Sequence, residues 1–331
     1  MQKMRNLQEI RNKIQGKLTD RFVVPLIEKL PRLMREHDRM KLMHSVSKRR
    51  FNKYLQQKMG HFAIDIDPGP SAPKELILKT AVLKQEDVEQ NANPDFYLMS
   101  GYSQVLSWLR ILDRNGFNLR TAGAIMELGC GSARLIRHLR CLDGVRLVGT
   151  DLDGENIEWC RGNLPGIEFY RNELYPPLQF AESSSFDLIY AVSVFTHIPL
   201  EAQKSWIEEM YRVLRPGGFF MADVLGRCHQ VLMLNLEDMK NLRSKGHLVL
   251  NSEDPKASLS TKVIGSWDVF QTRSQILHAF GSRFHIHDFI PTGLDLLVMQ
   301  KPYSRDSVMG RPDLFCPAQE GFPSMQNRGV N

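Results

Sequence analysis

Residues 125–134, IMELGCGSAR, constrain the fold of this chain more than any other segment. An apolar run that ends in a Gly-x-Gly turn is typical of a strand that leads through a tight turn into a helix. Gly129 permits the turn, and the missing side chain at Gly131 lets a ligand approach the backbone. The segment therefore predicts a ligand-binding turn at the end of a strand in an α/β domain.

The residues around this turn alternate between short β-rich runs and helical stretches. Such alternation predicts right-handed βαβ units and a doubly wound, mostly parallel sheet of about seven strands, closed by an antiparallel last strand. Strands are expected at 124–128, 145–150, 166–170, 186–192, 218–224, 283–289 and 295–301, and helices at 96–112, 133–141, 155–163, 201–214 and 272–280. Residues 171–185 lack helical periodicity, so that crossover should be a loop.

The remaining segments suggest how the chain is divided. Residues 1–60 are expected to form a basic helical arm, and residues 61–95, which contain DPGPSAP and NANP, a connector. The main domain should span 96–301, with an irregular insert at 225–265 as a candidate substrate cap. Residues 302–331, rich in Pro, Gly and small polar residues, should be a flexible tail.

The positive charge of the chain is concentrated in the arm. Residues 1–60 hold 16 Lys and Arg against 5 Asp and Glu, which leaves 27 against 32 for residues 61–331. A basic helical arm could contact phosphate in nucleic acid or an anionic membrane, or pack on its own domain or on a sister subunit of a homo-oligomer.

Composition points to an ordinary globular protein of the cytoplasm. No run approaches the roughly 18 apolar residues of a membrane span, and the first residues, MQKMRNLQEIRNK, lack the apolar core of a signal peptide. The five cysteines form no CxxC pair, so they are expected to be free thiols. Neither they nor the histidines have metal-ligand spacing, and no metal site is expected.

Two further motifs follow the glycine turn. The first is the segment VRLVGTD, which ends in Asp151, 24 residues beyond Glu127. The carboxylate of Asp151 could accept hydrogen bonds from both hydroxyls of a ribose. The second is FDLIYAVSVFTH at 186–197, followed by RVLRPGG at 212–218. In a dinucleotide fingerprint Arg134 would have to be Gly or Ala, whereas here the small residue is Ala133, one place earlier. This difference disfavours a nicotinamide-dependent oxidoreductase, which stays an alternative hypothesis.

This order of motifs, with an acid opening the first, resembles the class I S-adenosylmethionine-dependent methyltransferases over residues 95–301. The chain looks most similar to bacterial small-molecule and surface-saccharide methyltransferases, whose fourth strand continues as SVFTH. Two further short sequence segments of that group, IRH and WC, also occur here, at 136–138 and 159–160.

The resemblance implies which residues would contact S-adenosylmethionine. Those expected beside its methionine half are Glu127, Gly129, Cys130, Gly131 and Ala133. Asp151 and Leu152 would contact the ribose and adenine, Asn172 and Leu174 the adenine ring, and Ser193 would lie at the strand end beside the cofactor. Many relatives have an acid at the position of Asn172, and an Asn carbonyl can accept the same hydrogen bond. Arg134 and Arg137 are expected on a solvated helix face.

His197 is the expected catalytic residue. It lies just past the fourth strand, where an imidazole could accept the proton of a hydroxyl during methyl transfer. We therefore expect O-methylation of a small-molecule or saccharide-containing acceptor. A base amino-methyltransferase is disfavoured, because 191–194 reads AVSV rather than an Asp or Asn followed by two prolines and an aromatic residue. Methylation of RNA ribose remains an alternative.

Overall fold

The structure is a computed structural model that describes residues 36–59, 68–79, 93–255, 266–291 and 293–303. Within these residues, seven strands form one sheet in the order β3-β2-β1-β4-β5-β9-β8. Their bounds are β1 Ala124–Leu128, β2 Arg146–Asp151, β3 Glu168–Arg171, β4 Phe186–Ala191, β5 Leu214–Val224, β8 His285–Ile290 and β9 Asp295–Gln300. β6 His247–Asn251 and β7 Trp267–Gln271 pair separately as an antiparallel hairpin.

The predicted sheet is confirmed. β1 lies inside it, parallel to β2 on one side and to β4 on the other, and all five of its residues are buried. β9 runs antiparallel to both β5 and β8, as expected for the closing strand. β5 begins earlier than expected, because residues of the LRPGG phrase already belong to it, with Gly217 at a φ of +80°.

Helices cover both faces of the sheet. Their bounds are α1 Glu36–Met59, α2 Lys74–Leu78, α3 Pro94–Arg114, α4 Gly154–Asn163, α5 Leu200–Val213, α6 Arg227–Met233, α7 Leu236–Lys245 and α8 Arg273–Gly281. One core lies under α3 and α4, and the other under α5 and α8. Apolar side chains of β1 alternate between these cores: Ile125 belongs to the first, and Met126 and Leu128 to the second.

The helix expected at 133–141 is replaced by turns and a 3₁₀ helix over Ile136–Cys141. The reason lies at Ala133, whose φ of +59° is left-handed and cannot belong to a right-handed helix. The segment after the glycine turn is therefore more tightly wound than its sequence suggested.

Helix α1, the described part of the arm, packs on α3. Tyr54 donates a hydrogen bond from its hydroxyl to the carbonyl oxygen of Leu109 at 3.0 Å, and the rings of Phe51 and Tyr102 lie 5.4 Å apart. Part of the expected connector is also packed, since Ala72 and Ile77 are buried against Tyr97. This part of the arm thus lies against its own domain.

The described part of the expected insert, residues 225–255, contains regular elements although its sequence is an irregular mixture of polar and apolar residues. Residues 225–255 contain α6, α7 and β6, and β7 follows at Trp267–Gln271. β6 of the insert pairs with β7, and we call this pair the insert hairpin. Buried groups of β7 hold it to the domain: Gln203 of α5 accepts a hydrogen bond from Gln271 at 2.9 Å, and Val269 donates from its amide to the carbonyl of Thr196 at 2.8 Å. The mixture of polar and apolar residues did not indicate these elements. Their apolar side chains, such as Leu242, Leu250 and Phe270, form a small core that is separate from the two cores of the sheet.

Some expectations fall outside the described residues: the first part of the arm at 1–35, most of the tail at 304–331, and Cys316. No helix in the described ranges has the length and apolar character needed to span a membrane. In the same ranges, Cys130, Cys141, Cys160 and Cys228 are free thiols.

Candidate functional site

Three loops meet at one edge of the sheet because β1, β2 and β4 are parallel and in close register. Leu128 pairs with Thr150 of β2 and with Ala191 of β4, so the residues that follow these three strands emerge side by side. This register brings Gly129, Asp151 and Ser193 to the same edge, as the motifs predicted. The carboxyl ends of such strands are where ligands bind in open α/β sheets.

The glycine turn is fixed by the neighbouring strand. The amides of Gly129 and Cys130 both donate to the carbonyl oxygen of Thr150, at 2.7 and 2.9 Å. Gly129 has a φ of +72°, and a Cβ there would collide with Cγ2 of Val194. Gly131 has a φ of +49°. The turn therefore needs glycine at 129 for both conformation and space.

Asp151 lies beside the glycine turn. Its Oδ2 accepts a hydrogen bond from the amide of Gly131 at 2.7 Å, and its Oδ1 accepts one from the amide of Asp153 at 2.8 Å. Burial raises the pKa of this carboxyl above its ordinary value, and the two amide hydrogen bonds oppose that shift. The next residue, Leu152, is 43% exposed, which leaves an apolar side chain open to a ligand ring.

Asn172 is held next to Asp151. Its amide donates to the carbonyl oxygen of Asp151 at 3.0 Å, and its Oδ1 accepts a hydrogen bond from the hydroxyl of Thr150 at 2.8 Å. These contacts fix the carboxamide oxygen beside the loop that follows β2. Leu174, also predicted at this site, packs partly buried against the second core.

Glu127 points into the protein. Its Oε2 accepts hydrogen bonds from the amide of Ile136 at 2.9 Å and from the hydroxyl of Tyr190 at 3.4 Å. Burial raises the pKa of this carboxyl to about 8. Besides any contact with a ligand, Glu127 therefore supports the 3₁₀ helix that follows the glycine turn.

Asp223 is a site residue that sequence reasoning missed. It is buried near the end of β5, and its Oδ1 accepts a hydrogen bond from the amide of Ser193 at 2.6 Å. That bond holds Ser193 at a left-handed φ of +55°. Burial raises the pKa of Asp223 to about 7, which the positive charge of Arg134 opposes. An acid within the apolar run FFMADV was the signal that could have identified it.

The expectation of a solvated face is wrong for Arg137, which is 1% exposed. Its guanidinium donates to the carbonyl oxygens of Ala133, Ser132 and Pro70 at 2.6 to 2.7 Å and lies 5.6 Å from the rings of Tyr97 and Trp159. Each of these carbonyls gains a charged donor. Arg137 thus ties the glycine turn to the segment before α2.

Arg134 also has partners within the protein. It donates to the carboxamide oxygen of Gln104 at 2.7 Å and to the hydroxyl of Ser100 at 3.3 Å, both on α3. On the same helix, the hydroxyl of Tyr97 lies 2.6 Å from that of Ser132. Helix α3 therefore covers the glycine turn through polar contacts as well as apolar ones.

His197 lies where β4 leads into α5. Its Nδ1 is 2.8 Å from the carbonyl oxygen of Trp267 and 3.6 Å from Oδ1 of Asp268, both in the insert hairpin. Burial lowers the pKa of this imidazole, the hydrogen bond to Trp267 and the charge of Asp268 oppose the shift, and His229 adds to it. Sequence reasoning found His197 but not its partners, because they lie about 70 residues away in the chain.

Comparison with known proteins matches residues 126–222 to the family described as "Methyltransferase domain". An uncharacterized protein of Haemophilus influenzae is 27% identical over 155 residues, which are 44% of this chain and 59% of that protein. A phthiotriol/phenolphthiotriol dimycocerosates methyltransferase of Mycobacterium ulcerans is 34% identical over 100 residues, 29% of this chain and 35% of that protein. The aligned part of the chain thus spans less than two thirds of either relative. A solved S-adenosylmethionine-dependent methyltransferase of Methanosarcina mazei is 20% identical, with a TM-score of 0.42, over 55% of this chain and 93% of that one.

The residues at the sheet edge fit S-adenosylmethionine. Gly129 and Gly131 give a turn whose backbone can be approached closely, and the carboxylate of Asp151 has acceptor positions beyond those used by the amides of Gly131 and Asp153. Leu152 offers the exposed apolar side chain that an adenine ring requires. The segment that matches the methyltransferase domain family, residues 126–222, contains the glycine turn, Asp151, Asn172, Ser193 and His197.

Proposed function

We propose that this protein methylates a hydroxyl group of a small-molecule or saccharide-containing acceptor and that His197 accepts the hydroxyl proton. When bound, S-adenosylmethionine supplies an activated methyl group on a sulfonium. The protein would position the acceptor, exclude water and take up one proton.

The cofactor would be held by the edge of the sheet described above. The turn at Gly129, Cys130, Gly131 and Ala133 would receive its methionine half, with Ser193 beside it. Asp151 would accept hydrogen bonds from the ribose hydroxyls. Leu152 would cover the adenine, whose amino group could donate to the carboxamide oxygen of Asn172.

One observation carries the choice of His197 as base. The carbonyl oxygen of Trp267 can only accept a hydrogen bond, so the Nδ1 that lies 2.8 Å from it carries the proton in the neutral imidazole. The lone pair is then on Nε2, the nitrogen that could accept a proton. Because burial lowers the pKa of His197, this neutral form predominates at neutral pH.

Asp268 is the positioning residue for this base. Its side chain is 1% exposed, and its carboxylate lies 3.6 Å from Nδ1 of His197. A buried carboxylate on this side stabilises the imidazolium that forms when Nε2 takes a proton. Both Asp268 and Trp267 belong to β7 of the insert hairpin, so this hairpin would border the acceptor as well as orient the base.

The name of one relative supports a hydroxyl acceptor. The mycobacterial protein is a methyltransferase named for phthiotriol and phenolphthiotriol dimycocerosates, and a triol carries hydroxyl groups. It is 34% identical to this chain over 100 residues. We extend to this protein only the class of acceptor.

The test is to identify the methylated atom. The full chain is incubated with S-adenosylmethionine carrying a deuterated methyl group and with cell extract separated into aqueous and lipid fractions, and products are analysed by mass spectrometry. We expect a labelled ether, formed in smaller amount when Asp151→Asn replaces the wild type. A product labelled on nitrogen or carbon would contradict the proposal. Activity that a chelator abolishes and magnesium restores would contradict the metal-free mechanism.

A further inference from the structure

A cavity of about 540 Å³ lies between α1 and α3. Its lining residues are Ser47, Arg50, Ser103, Leu106, Ser107, Arg110, Ile111 and Arg114. None of the residues that the mechanism uses is among them. The volume falls in the range of about 300 to 1,000 Å³ that is typical of small-molecule sites.

The lining is strongly cationic. Arg50 comes from α1, and Arg110 and Arg114 lie one turn apart on α3, so three guanidinium groups share one cavity. The lining residues include no Asp or Glu. Asp113, the α3 acid whose charge acts on the nearby Tyr54, is not one of them. Guanidinium groups that line the same cavity repel one another, and an anion bound between them would offset this repulsion.

Polar donors accompany these charges. The exposed residues Ser103, Ser107, Arg110 and Arg114 follow one another at helical spacing, so they form a stripe along one face of α3. Across the groove, Ser47 accepts a hydrogen bond from the hydroxyl of Ser103 at 3.0 Å. The two helices are thus joined at the cavity itself, which holds the donors in place.

One guanidinium nitrogen of Arg50 has no hydrogen-bond acceptor among the residues that the structure describes. Its Nε is buried and has no hydrogen-bond partner in the described part of the chain. A buried donor without an acceptor destabilises the protein, and an anion bound beside it would supply the acceptor. By contrast, the buried Arg137 donates from each of its three guanidinium nitrogens to a carbonyl oxygen.

We propose that this cavity binds a small phosphorylated molecule through Arg50, Arg110 and Arg114. Guanidinium groups bind phosphate with two parallel hydrogen bonds each, and a phosphate has enough oxygens to serve three of them. The cavity is larger than one phosphate, so the rest of the molecule would lie against the serine hydroxyls and the apolar side chains of Leu106 and Ile111.

The test is calorimetry on the full chain at constant ionic strength, with inorganic phosphate and glucose 6-phosphate as probes and glucose as the uncharged control. We expect both phosphates to bind and glucose not to bind. Arg114→Gln is the cleanest variant, since Arg114 is exposed, and it should weaken binding about tenfold or more. Arg227→Gln, an exposed arginine on α6, is the matched control and should bind as the wild type does.

A second experiment, with lipid vesicles, shows whether the phosphate belongs to a soluble molecule or to a lipid headgroup. Flotation with phosphatidic acid in phosphatidylcholine, compared with phosphatidylcholine alone, reports a phosphate presented by a lipid. One outcome is that the protein binds the phosphatidic acid vesicles but neither soluble phosphate. If Arg114→Gln then reduces vesicle binding and Arg227→Gln does not, the cavity is assigned to a lipid headgroup. If neither soluble phosphates nor vesicles distinguish Arg114→Gln from Arg227→Gln, the proposal is overturned. S-adenosylmethionine affinity, measured in the same variants, should not change, which separates this outcome from any failure of the methyltransferase proposal.

Discussion

Asp151 accepts a hydrogen bond from the amide of Gly131 at 2.7 Å, and this contact joins the loop after β2 to the glycine turn after β1. The acid expected to recognise the ribose and the turn expected to receive the methionine half are therefore fixed relative to each other before any ligand binds. Such preorganisation lowers the entropic cost of binding.

Replacing Asp151 by Asn should weaken the binding of S-adenosylmethionine at least tenfold. The carboxamide keeps one acceptor oxygen but loses the charge and the second acceptor. Asp187 is a matched control, because its carboxylate also accepts two backbone amides, those of Gly123 and Ala124, at the opposite edge of the sheet. Calorimetry should show unchanged affinity for Asp187→Asn. Equal affinities for the two variants would mean that the cofactor does not bind at Asp151.

Alanine variants at Gly129 and Gly144 distinguish the cost of backbone strain from the cost of a steric collision. Their φ values are +72° and +73°, but an added Cβ would collide with Val194 at Gly129 and would meet nothing within 4 Å at Gly144. Gly144→Ala should lower the free energy of unfolding by about 1 to 2 kcal/mol. Gly129→Ala should lower it by a further 1 to 3 kcal/mol or so. Urea denaturation measures both, and Gly129→Ala with Val194→Ala should recover part of the difference. Equal losses in the two single variants would contradict the packing seen at the turn.

The stability of the protein should fall as the pH rises from about 5 to beyond 8. Burial raises the pKa of Glu127 to about 8 and that of Asp223 to about 7. The folded chain then holds protons that the unfolded chain releases at a lower pH, so their contribution is complete below the unfolded pKa values and is lost as pH rises through the folded ones. Urea midpoints at pH 5.5, 7.0 and 8.5 should show this slope. Glu127→Gln should flatten it, whereas the exposed control Glu182→Gln should keep the wild-type slope.

The pH dependence of turnover tests His197 as the base. An imidazole must be neutral to accept a proton, and burial holds the pKa of His197 below its usual value, so the rate should fall only at pH values below about 6.5. His197→Gln should lower kcat by roughly a hundredfold and remove this acidic limb, with unchanged affinity for S-adenosylmethionine. The exposed His278→Gln serves as the control. Full activity with an unaltered pH profile in His197→Gln would leave His197 a structural residue.

The sequence by itself determined the sheet and the position of the ligand edge. The turn at Gly129 and the acid at Asp151 depend on neighbouring residues and on the parallel pairing that alternating strands and helices require, so local patterns were sufficient to place them. His197 could be located for the same reason, because it lies in the short segment between a predicted strand and a predicted helix.

Only the tertiary structure decided which way the side chains point and what they contact. Glu127 faces Tyr190, Asp223 holds Ser193, Arg137 is enclosed by carbonyl oxygens, and His197 is oriented by a hairpin about 70 residues away. These contacts join segments that are far apart in the chain, and burial among them sets the pKa values of the carboxyl and imidazole groups. Neither the spacing of residues nor their type contains that information, because it arises when separate elements pack against one another and exclude water.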